Sequence, residues 1–144
     1  IYVMHTRITA HYITNDFFHF WISPPGFLDE LKNFFGFENK KDIKIGNVEL
    51  DRRYVFFGSD KQKLEQLFEN ANLRRMLKWF GGNISYGVKG EDEWLSKTHR
   101  KKSFHLYFDH PALIYDTVKL RVIIELFAET LKQLEKIGSI ASDK

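Results

Sequence analysis

Apolar and polar side chains change places almost residue by residue through HTRITAHYITNDFFHFWIS, residues 5–23, on both sides of Thr14-Asn15-Asp16. A period of two marks a strand with one buried face, and a short polar break between two such runs marks a hairpin. With Ile13 opposite Phe17, one face carries Thr6, Ile8, Ala10, Tyr12, Phe18, Phe20 and Ile22 and is expected to be core. The other carries His5, Arg7, Thr9, His11, Ile13, Phe17, His19, Trp21 and Ser23 and is expected to face outward.

The period then changes. In SPPGFLDELKNFFGF, Phe27, Leu31, Phe34 and Phe35 fall at helical spacing and Gly36 ends the run. Val48, Leu50 and the run Tyr54 to Phe57 read as two short strands or one bent one, bounded by Gly46-Asn47 and Gly58. Ser59 and Gln62 form a capping box for a helix over about 61–80. The stripe of Leu64, Leu67, Phe68 and Ala71 slips before Leu73, Met76, Leu77 and Phe80, which predicts a break near Asn70 to Asn72. Gly81-Gly82 ends that helix. Ile84, Tyr86 and Val88 share a strand face, and Phe104, Leu106 and Phe108 share another after the polar connection EDEWLSKTHRKK. Pro111 opens a last helix to about Ile137, with Leu113, Leu120, Phe127 and Leu134 in heptad register and Ile124 and Leu131 between them. Val118, Val122 and Ile123 make that apolar surface too wide for a two-helix seam, so it is expected to cover the sheet.

Two strands followed by a helix, three times over, predict an α+β fold, an antiparallel sheet with helices packed mainly on one face. The chain has 144 residues, enough for one core, and 1–144 is read as a single globular domain. Fourteen Phe, six Tyr and three Trp supply that core.

Composition narrows the chemistry. A net charge of +3, from 22 basic and 19 acidic residues, is small for a dedicated nucleic-acid binder and only mildly favours an anionic partner. With no cysteine, disulfides, thiolate nucleophiles and Cys-ligated metals are excluded. No apolar run approaches the ~20 residues needed to cross a bilayer, so the chain is expected to be a soluble, cytoplasmic domain. Because it starts at Ile1, an upstream segment is expected to precede it, and any membrane attachment would lie there.

NVELDRRYVFFGSD, followed by a helix around LRRML, a strand pair and a long closing helix, resembles a family of uncharacterised bacterial domains. The resemblance covers roughly residues 43–137 in order of elements, with ELDRRYVFFGSD as the part nearest to a motif, and the WLSKTHRKK connection departs from it. It implies a domain that follows a pair of membrane-spanning helices in a larger protein. It carries over no catalytic residue, because the family has no assigned function.

The residues themselves offer three candidate sites. Arg52 and Arg53 beside Asp51 are a candidate anion-binding pair, set against the simpler reading that strand alternation turns them to opposite faces. His5, His11 and His19 share the outer face, and His11 opposite His19 suggests metal ligation; the sequence does not fix a third ligand, although His105 or Asp109 could supply one, so no metal is assigned. Arg7, His11, Phe17, His19 and Trp21 together form a basic aromatic face that suits a protein contact or, alternatively, a single-stranded nucleic acid. HRKK at 99–102 reads as a solvated loop, and Glu91, Asp92 and Glu93 as solvated acids. No catalytic motif is present and no cofactor is expected. The chain reads as a non-catalytic binding or assembly module, with a protein partner or self-association. The alternatives are a nucleic-acid or anionic-ligand binder using the hairpin face and an enzyme with a pocket between sheet and helices.

Overall fold

The computed structural model describes residues 6–25, 42–90, 103–110 and 114–141. Five strands are present, β1 (Thr6–Ile13), β2 (Phe20–Ser23), β3 (Val55–Gly58), β4 (Ser85–Gly90) and β5 (Ser103–His110). The described helices are α1 (Val48–Arg53), α2 (Lys61–Leu67), α3 (Ala71–Phe80) and α4 (Thr117–Lys136). The strands form one antiparallel sheet in the order β1-β5-β4-β2-β3. This is the α+β class that the hydrophobic pattern predicts.

The sheet order corrects the expected hairpin. β1 and β2 do not pair, because β5 and β4 lie between them. The Thr14-Asn15-Asp16 segment binds the end of α4 instead of turning back on β1. The Asn15 amide donates to Ser139 O at 2.9 Å, its side-chain Nδ2 donates to Gly138 O at 3.0 Å, and Ser139 Oγ donates to Asp16 Oδ2 at 3.1 Å. Lys63 of α2 closes the cluster through an ion pair with Asp16. The core face nevertheless falls as predicted, with Tyr12, Phe18, Phe20 and Ile22 buried, since alternation fixes facing within each strand whatever its neighbour.

Inside, Phe20, Ile22, Phe56, Tyr86, Leu106 and Phe108 of the sheet pack in one cluster with Leu50, Leu64, Leu67, Leu73, Leu77, Ile123 and Leu126 of the helices. The described helices therefore gather on one face. On the other, Trp21, Val55 and Phe57 form a second buried group with Tyr107 against it.

Two local readings change. Val48 to Arg53 is a helix, not a strand, because Asn47 caps it by accepting from the Leu50 amide at 3.1 Å. Asp60, rather than Ser59, caps α2, accepting from the Lys63 amide at 3.2 Å. The predicted break does fall between α2 and α3, where Asn70 accepts from the Asn72 and Leu73 amides. Gly81, at φ 73°, ends α3 in the left-handed conformation that glycine adopts without cost.

The closing helix begins at Thr117 behind an Asp116 cap. Its buried side carries Ile123, Leu126, Phe127, Thr130 and Leu134, whereas Val118 and Ile124 are 59% and 66% exposed. The stripe does cover the sheet, but Ile124 lies beyond its edge. His5, Phe27, Leu31, Phe34, Phe35, the 91–102 connection, Pro111 and Leu113 lie outside the described residues.

Two phenols join the layers. Tyr86 Oη lies 2.8 Å from Thr130 Oγ1, whose hydroxyl is also 2.6 Å from Leu126 O. Tyr54 Oη donates to Leu77 O at 2.8 Å and accepts from the Gly82 amide at 3.0 Å. Burial pushes the Tyr54 phenol up to about 12, and Tyr12 and Tyr86 are pushed up by the same cause. Below the ordinary phenol value of about 10, these groups are protonated whether folded or unfolded. Above it the unfolded chain ionises first, so stability should fall as pH rises from about 10 towards 12. Urea midpoints measured across that interval should decline, and Tyr54→Phe should soften the decline while costing about 1–3 kcal/mol at neutral pH. A flat profile would contradict the burial of these phenols.

Candidate functional site

Cross-strand register arranges the outer face in rows. One row holds Arg7 and Asp109 with Ser85; the next holds Thr9, Tyr107, Gly87, Trp21 and Phe57; a third holds His11, His105 and Lys89. Directly opposite residues on one face are the pairs through which a sheet's side chains interact. His11 and His105 accordingly meet edge to face, with ring centroids 4.0 Å apart. His19, expected opposite His11, instead precedes β2. Its amide donates to Ser59 Oγ at 3.1 Å and its carbonyl accepts from the Ser59 amide at 3.0 Å. The proposed His11 and His19 ligand pair is thus not formed, and no group of three or more His, Asp or Glu suited to a metal occurs among the described residues.

The other members of the proposed binding face also separate. Arg7 is held by Asp109 in a two-pronged pair, Nε to Oδ1 at 2.9 Å and Nη2 to Oδ2 at 3.3 Å. Trp21 is only 3% exposed, so its indole contributes to packing and offers no stacking platform. Phe17 is exposed but lies towards the core-face ring of Phe104, centroids 6.1 Å apart, at a left-handed φ of 63°. Of the five residues, Arg7 and His11 remain together on the exposed outer side of β1.

Arg52 and Arg53 sit side by side on α1, so their side chains diverge by about 100°. Arg53 Nη2 lies 3.4 Å from Glu49 Oε1, and Lys78 Nζ lies 3.5 Å from the other oxygen of that carboxylate. Asp51 is occupied locally, accepting from the Ile45 and Gly46 amides at 2.9 and 3.1 Å. Arg52 is exposed and Arg53 half-buried. The pair is not brought together as a bidentate anion site.

Two surfaces emerge that sequence reading missed. A groove of about 440 Å³ runs between α3 and α4, with Met76, Trp79 and Val122 among its apolar lining and Arg75, Glu125 and Glu129 among its charged lining. The second surface is the outer edge of β1. Ile13 O accepts from the Ala141 amide at 3.0 Å and the Asn15 amide donates to Ser139 O, on the side away from β5. Because N–H and C=O of one residue point the same way and alternate along a strand, the backbone groups of Arg7, Thr9 and His11 face that same outer edge. All three residues are exposed. Beside them, on the core face, Ile8 and Ala10 are only half-buried.

Compared with known proteins, the chain matches no family model, no curated protein and no solved structure. No helix among the described residues is long and apolar enough to cross a membrane.

The buried outer-face group generates a stability test. A Cβ at Gly87 would lie 2.5 Å from Trp21 Cε3 and would also strike the Phe20 carbonyl oxygen. Gly87→Ala should therefore destabilise by about 1–3 kcal/mol or more, through overpacking against a rigid backbone. Chemical denaturation that finds the variant as stable as the parent would show that the indole does not lie against β4.

Proposed function

We propose that this domain is a non-catalytic assembly module of a larger protein, and that it engages its protein partner along the outer edge of β1. The observation that carries the reading is the exposed Arg7 to His11 edge next to an apolar fringe, since exposed strand edges are templates for pairing with another chain. β3, at the opposite edge of the sheet, is bridged by Ile43, whose amide donates to Phe56 O at 2.7 Å.

The chemistry-bearing side chains around the sheet act in support of the fold. Asp109 neutralises Arg7, Asp16 joins α2 to the α4 tail, and Asp51 fixes the entry to α1. A nucleic-acid contact on the outer face would have to do without the buried Trp21 ring and without an unpaired Arg7.

Site-specific photo-crosslinking in cells tests this reading. A photoreactive residue placed at Thr9 or Ile124 should give protein adducts, and one at Lys61, on the exposed surface of α2, should not. Equal yields at all three positions, or adducts to nucleic acid, would overturn it.

A further inference from the structure

We infer that the partner is a second copy of this chain, paired antiparallel along β1 about a two-fold axis at Thr9, so that two five-stranded sheets become one. This rests on the assembly reading above and adds its partner and register. Antiparallel pairing centred on Thr9 sets Thr9 against its own copy and Arg7 against the copy's His11. All three residues then meet the copy through the outward N–H and C=O groups that β5 leaves unused.

The side chains suit that symmetry. No charge lies at the centre. The cationic Arg7 arrives already neutralised by Asp109, so it brings no uncompensated charge to the seam. The row would read Asp109, Arg7, then the copy's imidazole.

α4 supplies the apolar part. It runs in the same direction as β1, since Thr6 Oγ1 accepts from the Ile114 amide at 3.0 Å at one end and Thr14 bridges Ile140 at the other. Thr9 and Ile124 lie near the middle of these two runs. One side of the helix meets the α2 and α3 region, where Gln133 Nε2 donates to Gln66 O and Asn70 Nδ2 to Glu129 Oε2. At about 100° per residue, Leu120, Ile124 and Leu131 fall on the opposite flank, over the β1 edge. Leu120 and Leu131 are half-buried and Ile124 is 66% exposed. The same two-fold that pairs the strands sets α4 antiparallel to its copy with these flanks in contact. A strand edge and an adjoining helix flank thus share one symmetry axis, and such an isologous contact requires each surface to match itself. An unrelated extended peptide would satisfy the edge and leave the flank bare.

Sedimentation velocity and equilibrium on the 144-residue chain test the inference. The wild type should sediment as a dimer that dissociates on dilution. Thr9→Pro removes an N–H that the isolated fold does not use, a position where an edge strand accepts proline. It should leave the circular dichroism and urea midpoint near wild type and weaken dimerisation by about tenfold or more. Ile124→Glu places a charge on an already exposed helix position, so folding should again be kept while the dimer weakens; it decides the case if Thr9→Pro fails to fold. A wild-type monomer up to about millimolar concentration overturns the inference, and so does a dimer that Ile124→Glu leaves intact. If the chain is monomeric while photo-crosslinks from Thr9 reach a different protein, self-pairing falls and the assembly reading stands.

Discussion

Covering one phenylalanine-rich sheet face is the constraint on which this structure depends. Phe20, Phe56 and Phe108 are almost wholly buried on that face, and each would lose about 3–5 kcal/mol if truncated to alanine. A 20-residue helix, α4, crosses this surface and contributes Ile123, Leu126, Phe127 and Leu134 to its cover. Dispersion and burial alone would tolerate rotation of that helix. The hydrogen bond between Tyr86 and Thr130 at its buried centre favours one rotation, because a half-satisfied pair of buried hydroxyls is costly.

That seating determines what happens at the margins. With α4 running beside β1, its tail reaches Thr14, Asn15 and Asp16, and the polar residues that could have closed a hairpin are used to hold Gly138 and Ser139. The chain between β1 and β2 is thereby free of the requirement to turn tightly, and β5 takes the place beside β1. The tail pairs with only the end of β1, leaving Arg7 to His11 as the exposed edge. The apolar surface of the helix is wider than the area it covers, so the flank at Ile124 stays exposed. The proposed assembly surface is in this sense a consequence of the packing.

Much of this was legible in the sequence, and the omissions have physical reasons. Phe104, Leu106 and Phe108 declare their buried face through period two, and Asn70 marks the helix break because its side chain serves as a cap. Facing is local, whereas pairing is not: the Arg7 to Asp109 bond spans 102 residues, and nothing in either strand names the other. Over six residues, Val48 to Arg53 fits both strand and helix patterns; the deciding signal was Asn47 ahead of Leu50, a side-chain cap rather than a hydrophobic period. Alternation puts Trp21 on the outer side, where it lies, but does not tell whether that side is covered. The β1 edge was illegible for the same reason as the hairpin, since edge status follows from the order of the whole sheet.

The order of the sheet is the central claim, and cysteine pairing tests it most directly in a chain that has no cysteine of its own. His11 and His105 are opposite each other at a non-hydrogen-bonded position, where Cα atoms lie about 4.5 Å apart, within disulfide range. Under mild oxidation, His11→Cys with His105→Cys should form an intramolecular disulfide in the native protein, and His11→Cys with His19→Cys should not. A disulfide between positions 11 and 19, with none between 11 and 105, would restore the simple hairpin and contradict the account.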